Sequence, residues 1–119
     1  MNSAIQPTTE LKINGVVYIL IFDLEACAKA EEVLDRPLLT GLRQKDINTP
    51  SIRTVQGMLY ACIGANHPDL TFLQVKALVT RKNWANVWAA VLTSWTAGLA
   101  EADKEEDAVE VGETKAAIQ

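Results

Sequence analysis

Three side chains in this sequence could act as imidazole base, thiol nucleophile or soft metal ligand: His67, the only histidine, and the two cysteines Cys27 and Cys62. His67 has no Cys, Asp or Glu at ligand spacing, so it builds no metal site by itself. It stands in Gly64-Ala-Asn-His-Pro68 and reads as a turn residue. Cys27 and Cys62 lack a C-x-x-C spacing and fall inside apolar helical patterns. The reading is two buried reduced thiols, with a disulfide or a metal pair as the alternative. Glu25, Glu31, Glu32 and Asp35 offer carboxylates for acid/base work or cation binding, but at these spacings on a short helix they form its solvated face. No glycine-rich phosphate loop and no Ser/His/Asp or Cys/His set is present. Catalysis therefore has no candidate residues, no metal or cofactor is implied, and a non-enzymatic protein is expected.

The stretch from Asn83 to Ala100 holds all three tryptophans and no charge. Trp84, Val87, Trp88, Val91, Leu92, Trp95 and Leu99 recur at spacings of three and four, which predicts a helix from about Trp84, read here as the central one. About 18 uncharged residues is the lower limit for a membrane span. The Asn, Thr, Ser and Ala positions keep the hydropathy modest and the large residues form a stripe, so a buried helix is the preferred reading.

Upstream, residues 1–9 read as a flexible lead-in. Glu-Leu-Lys-Ile, Asn14-Gly15 and Val-Val-Tyr-Ile-Leu-Ile-Phe predict a β-hairpin with a two-residue turn, because both turn positions need positive φ. Ile13 then pairs with Val16 and Leu11 with Tyr18. One face carries Leu11, Ile13, Val16, Tyr18 and Leu20, and the other carries Glu10, Lys12, Val17, Ile19 and Ile21. Asp23 caps a helix with the register Leu24, Cys27, Ala28, Glu31 and Leu34, ended by Arg36-Pro37. Pro37 to Pro50 reads as one or two helical turns around Leu38, Leu39 and Leu42 and then a polar loop. A helix opened by Pro50-Ser51 carries the stripe Ile52, Val55, Leu59, Cys62 and Ile63, and its Gly57 and Ala61 allow close helix contact. It stops at Gly64-Ala65-Asn66 with a left-handed cap expected. Thr71-Phe-Leu-Gln74 has the capping-box pattern for a helix to about Thr80 that buries Phe72, Val75, Leu78 and Val79.

The 119 residues carry a net charge of −4. The acids are concentrated after residue 100, where seven of them and two lysines read as an acidic, disordered tail over 101–119, with a short helical extension to about Asp107 as the alternative. The class expected is α+β, mainly α: one globular domain over 10–100, built of the hairpin and a bundle of about four helices. Neither part concentrates the Lys and Arg that phosphate neutralisation requires, so nucleic acid is not an expected partner. A basic region followed by an apolar run is missing at the N-terminus, so a cytosolic, non-membrane protein is expected.

The apolar surface exceeds what one small domain buries, which points to a partner or to self-association. The candidates are Val17, Ile19 and Ile21 on the hairpin, where an interface is favoured, and Trp84, Trp88 and Trp95, where the core is favoured over a partner surface.

The phrase Leu11-Lys-Ile-Asn-Gly-x-x-Tyr18-x-Leu20-x-Phe22-Asp23, running into a helix rich in Ala and Glu, resembles the small tail assembly chaperones of long-tailed phages and gene transfer agents. Leu59-Tyr60-Ala61, then His67-Pro68-Asp69-Leu70-Thr71-x-x-x-Val75-x-x-Leu78 and a last apolar helix, is similar to that family's second half. The resemblance spans roughly residues 10 to 100. It implies a non-enzymatic protein in the host cytoplasm that binds the tape measure protein, keeps it soluble, recruits major tail tube subunits and is absent from the mature virion. It also implies a second, longer product made by ribosomal frameshift. The uncharged last helix and the long Pro37 to Pro50 segment depart from the family pattern. Two other classes compete: a permanent structural tail or head-completion component of the virion, and a small helical regulator whose only recognition helix, Phe72 to Lys82, is poor in outward base-reading residues.

Overall fold

Asn14 and Gly15 both adopt positive φ, 53° and 82°, and close a hairpin of β1 (Thr9–Ile13) and β2 (Val16–Leu20). Its register pairs Ile13 with Val16, Leu11 with Tyr18 and Thr9 with Leu20, as the two-residue turn dictates. The computed structural model describes residues 8–39 and 42–113, and the side chains only as far as residue 98. The other elements of the described residues are helices: α1 (Leu24–Leu34), α2 (Gln44–Asn48), α3 (Ile52–Ile63), α4 (Phe72–Leu78) and α5 (Trp84–Glu113). The class is α+β, mainly α, as the sequence predicts.

The helix starts follow capping chemistry. Oδ1 of Asp23 accepts from the N–H of Ala26 at 2.9 Å, and the Ser51 hydroxyl accepts from that of Thr54 at 3.1 Å. Thr71 and Gln74 complete the predicted box in both directions, at 3.1 and 2.8 Å. A second box was hidden in the connection to α5. The N–H of Thr80 donates to Oδ1 of Asn83 at 2.7 Å, and the N–H of Asn83 donates to the Thr80 hydroxyl at 3.2 Å.

The helix at the centre is α3, not α5. It packs against α1, α4, α5 and β2, and Val55, Met58, Leu59, Cys62 and Ile63 are all but sealed from solvent. A helix without charge after Arg53 and with Gly57 and Ala61 on one side can be covered all round, whereas α5 leaves Ala85, Asn86, Ala89, Thr93 and Thr96 exposed. Ile52, assigned to the α3 stripe, is exposed at its first turn.

Gly57 seats the side chains of Leu34 and Val33; a Cβ there would lie 2.7 Å from Leu34 Cδ2. That close approach rotates α1 relative to its predicted register. Ala26, Cys27, Ala30 and Leu34 are buried, while Leu24 and Ala28 face outward. Two alanines let α1 settle onto α3 more closely than Leu24 would.

Four further boundaries differ from the sequence reading. The short helix after Pro37 forms in the polar part, Gln44–Asn48, because Asp46 accepts from the N–H of Arg43 at 3.0 Å and opens it. Leu38 is fully buried instead, and its N–H and that of Leu39 donate to Oε2 of Glu31 at 2.7 and 3.2 Å. α3 ends at Gly64 in right-handed geometry, φ −67°, with the N–H of His67 donating to the Ile63 carbonyl and Pro68 next, so no left-handed cap is needed. α4 ends two residues early, and of its predicted buried face only Val75 is sealed. α5 continues through residues read as disordered tail, as far as Glu113. That stretch has no proline, no glycine before Gly112, and many good helix formers in Ala, Glu and Lys. Residues 1–7 of the lead-in and 114–119 of the tail lie outside the described residues.

Candidate partner-binding surface

The six candidate contact residues do not form one surface. Trp88 and Trp95 lie in the core, the placement the sequence favours for them over a partner surface. Trp95 meets the ring of Phe22 edge-on, with centroids 4.8 Å apart. Trp88 sends its indole N–H to the Ile47 carbonyl at 2.9 Å. The spacing of seven between Trp88 and Trp95 keeps both on the buried side of α5, where Val87 and Val91 also lie.

Trp84, one turn earlier, is 40% exposed. Its ring forms one wall of an open groove of about 400 Å³ lined by Pro50, Ile52, Val55, Val79, Thr80 and Arg81. Ile52, in the same lining, is also exposed. The floor is apolar and Arg81 supplies the one charge in the lining. The groove exists because the Thr80–Asn83 box turns the chain sharply between α4 and α5, which sets Val79 beside Trp84.

On the hairpin, Val17 is 46% exposed and Ile19 and Ile21 are half-buried. The outer face of β2 is thus apolar and partly open, flanked by the exposed Glu10 and Lys12 of β1. Val16, assigned to the inner face, is exposed as well, because it lies at the turn beyond the helices.

The titratable groups hold structure together. His67 lies at the end of the α3–α4 turn, where its Nε2 accepts from the N–H of Ile19 at 3.1 Å and its ring meets that of Tyr18 edge-on. Accepting through Nε2 places the ring proton on Nδ1. Glu31, tied to Leu38 and Leu39 by backbone N–H bonds, is held below the ordinary carboxylate range by those bonds. Asp46 sits between Arg36 at 3.0 Å and Arg43 at 3.5 Å. The Arg43 backbone N–H first, and then the Arg36 side chain, lower its pKa to about 2.

Burial pushes the Cys62 thiol far up, and burial with the nearby Glu31 charge raises that of Cys27, so neither is poised as a thiolate nucleophile. Both cysteines are free and buried. Among the described residues no three His, Cys, Asp or Glu side chains gather into a metal-holding group, and no helix is long and apolar enough to cross a membrane. A wider groove of about 530 Å³ between α1 and the end of α3 is lined by small residues and by Asp23, Glu25, Lys29 and Glu32, charges of both signs open to water. Compared with known proteins, the chain matches no family model, no curated protein and no solved structure, so its functional reading rests on its own residues and their geometry.

Proposed function

We propose that this protein is a non-enzymatic assembly chaperone of the phage-tail type, which holds the apolar helical tape measure protein in solution and recruits major tail tube subunits before the tube closes around it. The observation that carries this reading is Trp84, a large aromatic left open on the wall of an apolar groove beside Ile52 and Arg81. Exposed aromatics over apolar floors are the usual anchors of protein partners, and a groove of this kind takes the apolar stripe of a helix. The phrases around Asn14-Gly15 and His67-Pro68 support the same family. A holdase works by mass action, binding the partner's apolar stripe at many weak sites.

The test is co-expression with a tape measure protein, followed by affinity purification and a mass determination of the complex. Several copies per long chain, reduced by Trp84→Glu in a normally folded variant, are the expected result. A long protein that precipitates alone while this chain stays free refutes the chaperone reading. Recovery of the chain in purified particles would instead favour the structural-component reading.

A further inference from the structure

The two edges of the hairpin are treated differently. In a two-residue hairpin the facing pairs Ile13 with Val16, Leu11 with Tyr18 and Thr9 with Leu20 exchange the ladder bonds, so the backbone groups of the alternate residues point outward. On β2 that outer edge is closed beyond Val17: the N–H of Ile19 donates to His67, the Ile19 carbonyl accepts from the Asn66 amide at 3.5 Å, and the N–H of Ile21 donates to the Cys62 carbonyl at 2.9 Å. On β1 the outward N–H and C=O groups of Glu10 and Lys12 have no partner among the described residues. Both side chains are exposed.

An open edge is a template for another strand, and a lone charge on it usually repels a second copy. Here the two charges are opposite and two residues apart. We propose that β1 is the pairing edge of a homodimer, in which two copies join antiparallel about Leu11 into one sheet of order β2-β1-β1-β2. In that register Glu10 of each copy faces Lys12 of the other, and each such pair exchanges both of its free N–H and C=O groups. A shift by two residues sets Glu10 against Glu10 or Lys12 against Lys12, and a shift by one turns the outward groups away from each other. The charges therefore select one register. Leu11 meets its counterpart on the inner, helix-covered face, and on the outer face the Glu10 and Lys12 pairs of the two β1 strands form a charged band between the Val17 and Ile19 of one copy and those of the other. The dimer is independent of the chaperone reading and stands or falls separately.

The experiment is sedimentation of the full chain over a concentration series, with Lys12→Glu, Glu10→Lys and the double swap, alongside amide hydrogen exchange of Glu10 and Lys12. Wild type is expected to dimerise, each single variant to weaken dimerisation roughly tenfold or more, and the double swap to restore it. The Glu10 and Lys12 amides are expected to exchange fast in dilute samples and slowly in concentrated ones. That readout needs only wild type, so it holds even if a variant folds poorly. A chain that stays monomeric at every concentration overturns the proposal, as does a dimer whose strength ignores the single charge reversals or whose two amides stay unprotected. Protection that appears only with a different protein present also overturns it, in favour of strand addition by that protein.

Discussion

The indole N–H of Trp88 donates to the backbone carbonyl of Ile47 at 2.9 Å, across 41 residues of sequence. This bond ties the uncharged first part of α5 to the short polar helix α2, which has no buried residue of its own. Trp88→Phe keeps an aromatic body in the same place and removes the donor. The expected loss in urea unfolding is about 1 to 3 kcal/mol, because the smaller ring also leaves core space unfilled and the Ile47 carbonyl unpaired.

The three tryptophans should separate by environment. Trp95→Ala opens a cavity against Phe22 and is expected to cost about 3 to 5 kcal/mol. Trp84→Ala removes a half-open ring and is expected to cost about 1 kcal/mol or less, within the range of surface changes that fill no core space. Equal losses in the two variants would mean that Trp84 is core and that the groove is not a free surface.

Much of this was legible in the sequence because local chemistry decides it. Asn14-Gly15 admits one turn type, and the turn fixes the register of every residue in the hairpin. Thr71 with Gln74 fixes a helix start in the same way. Tertiary packing decided the rest. Leu24 looks like the better core residue than Ala26 or Ala30, yet the smaller side chains win because Gly57 lets the two helices approach. Trp84 and Trp88 share one stripe by periodicity, but only tertiary packing, with the Ile47 carbonyl reaching the Trp88 indole, determines which of them is covered. Glu31 reads as a solvated acid and Asp46 as part of a polar loop because the backbone N–H groups they bind lie outside the Glu31 helix or at a cap that the sequence does not advertise.

Gly98 carries no signal beyond being a glycine inside an apolar helix, yet a Cβ there would lie 1.8 Å from the carbonyl oxygen of Phe22, which is backbone and cannot step aside. Gly98→Ala is expected to push α5 away from the end of the hairpin and cost about 3 kcal/mol or more. The contrast is Gly64→Ala, whose new methyl meets the Nζ of Lys29 at 2.8 Å. That flexible end swings clear, so thermal unfolding should distinguish the two variants sharply.

Ser94 is 1% exposed, and its hydroxyl has no hydrogen-bond partner among the described residues. A buried hydroxyl without a partner carries its desolvation cost uncompensated. Ser94→Ala removes the group while keeping the helix former, and is expected to raise stability by about 1 kcal/mol. A loss of stability instead would show that the hydroxyl is satisfied in solution, for example by a bound water.

Asp46 gives the fold a defined acid limit. Its carboxylate accepts from the Arg43 N–H and from Arg36, so its pKa falls from 3.8 to about 2 in the folded chain. A group with a depressed folded pKa stabilises the fold fully above its unfolded pKa, and that contribution fades as pH falls through the folded value. The Asp46→Asn variant retains the shape but not the charge, and should therefore be less stable than wild type at neutral pH. The gap is expected to stay constant down to about pH 4, narrow below it, and close near pH 2. Urea melts of both proteins at several pH values check this directly. A gap that instead narrowed between pH 7 and 5 would assign the pH dependence to a group other than this carboxylate.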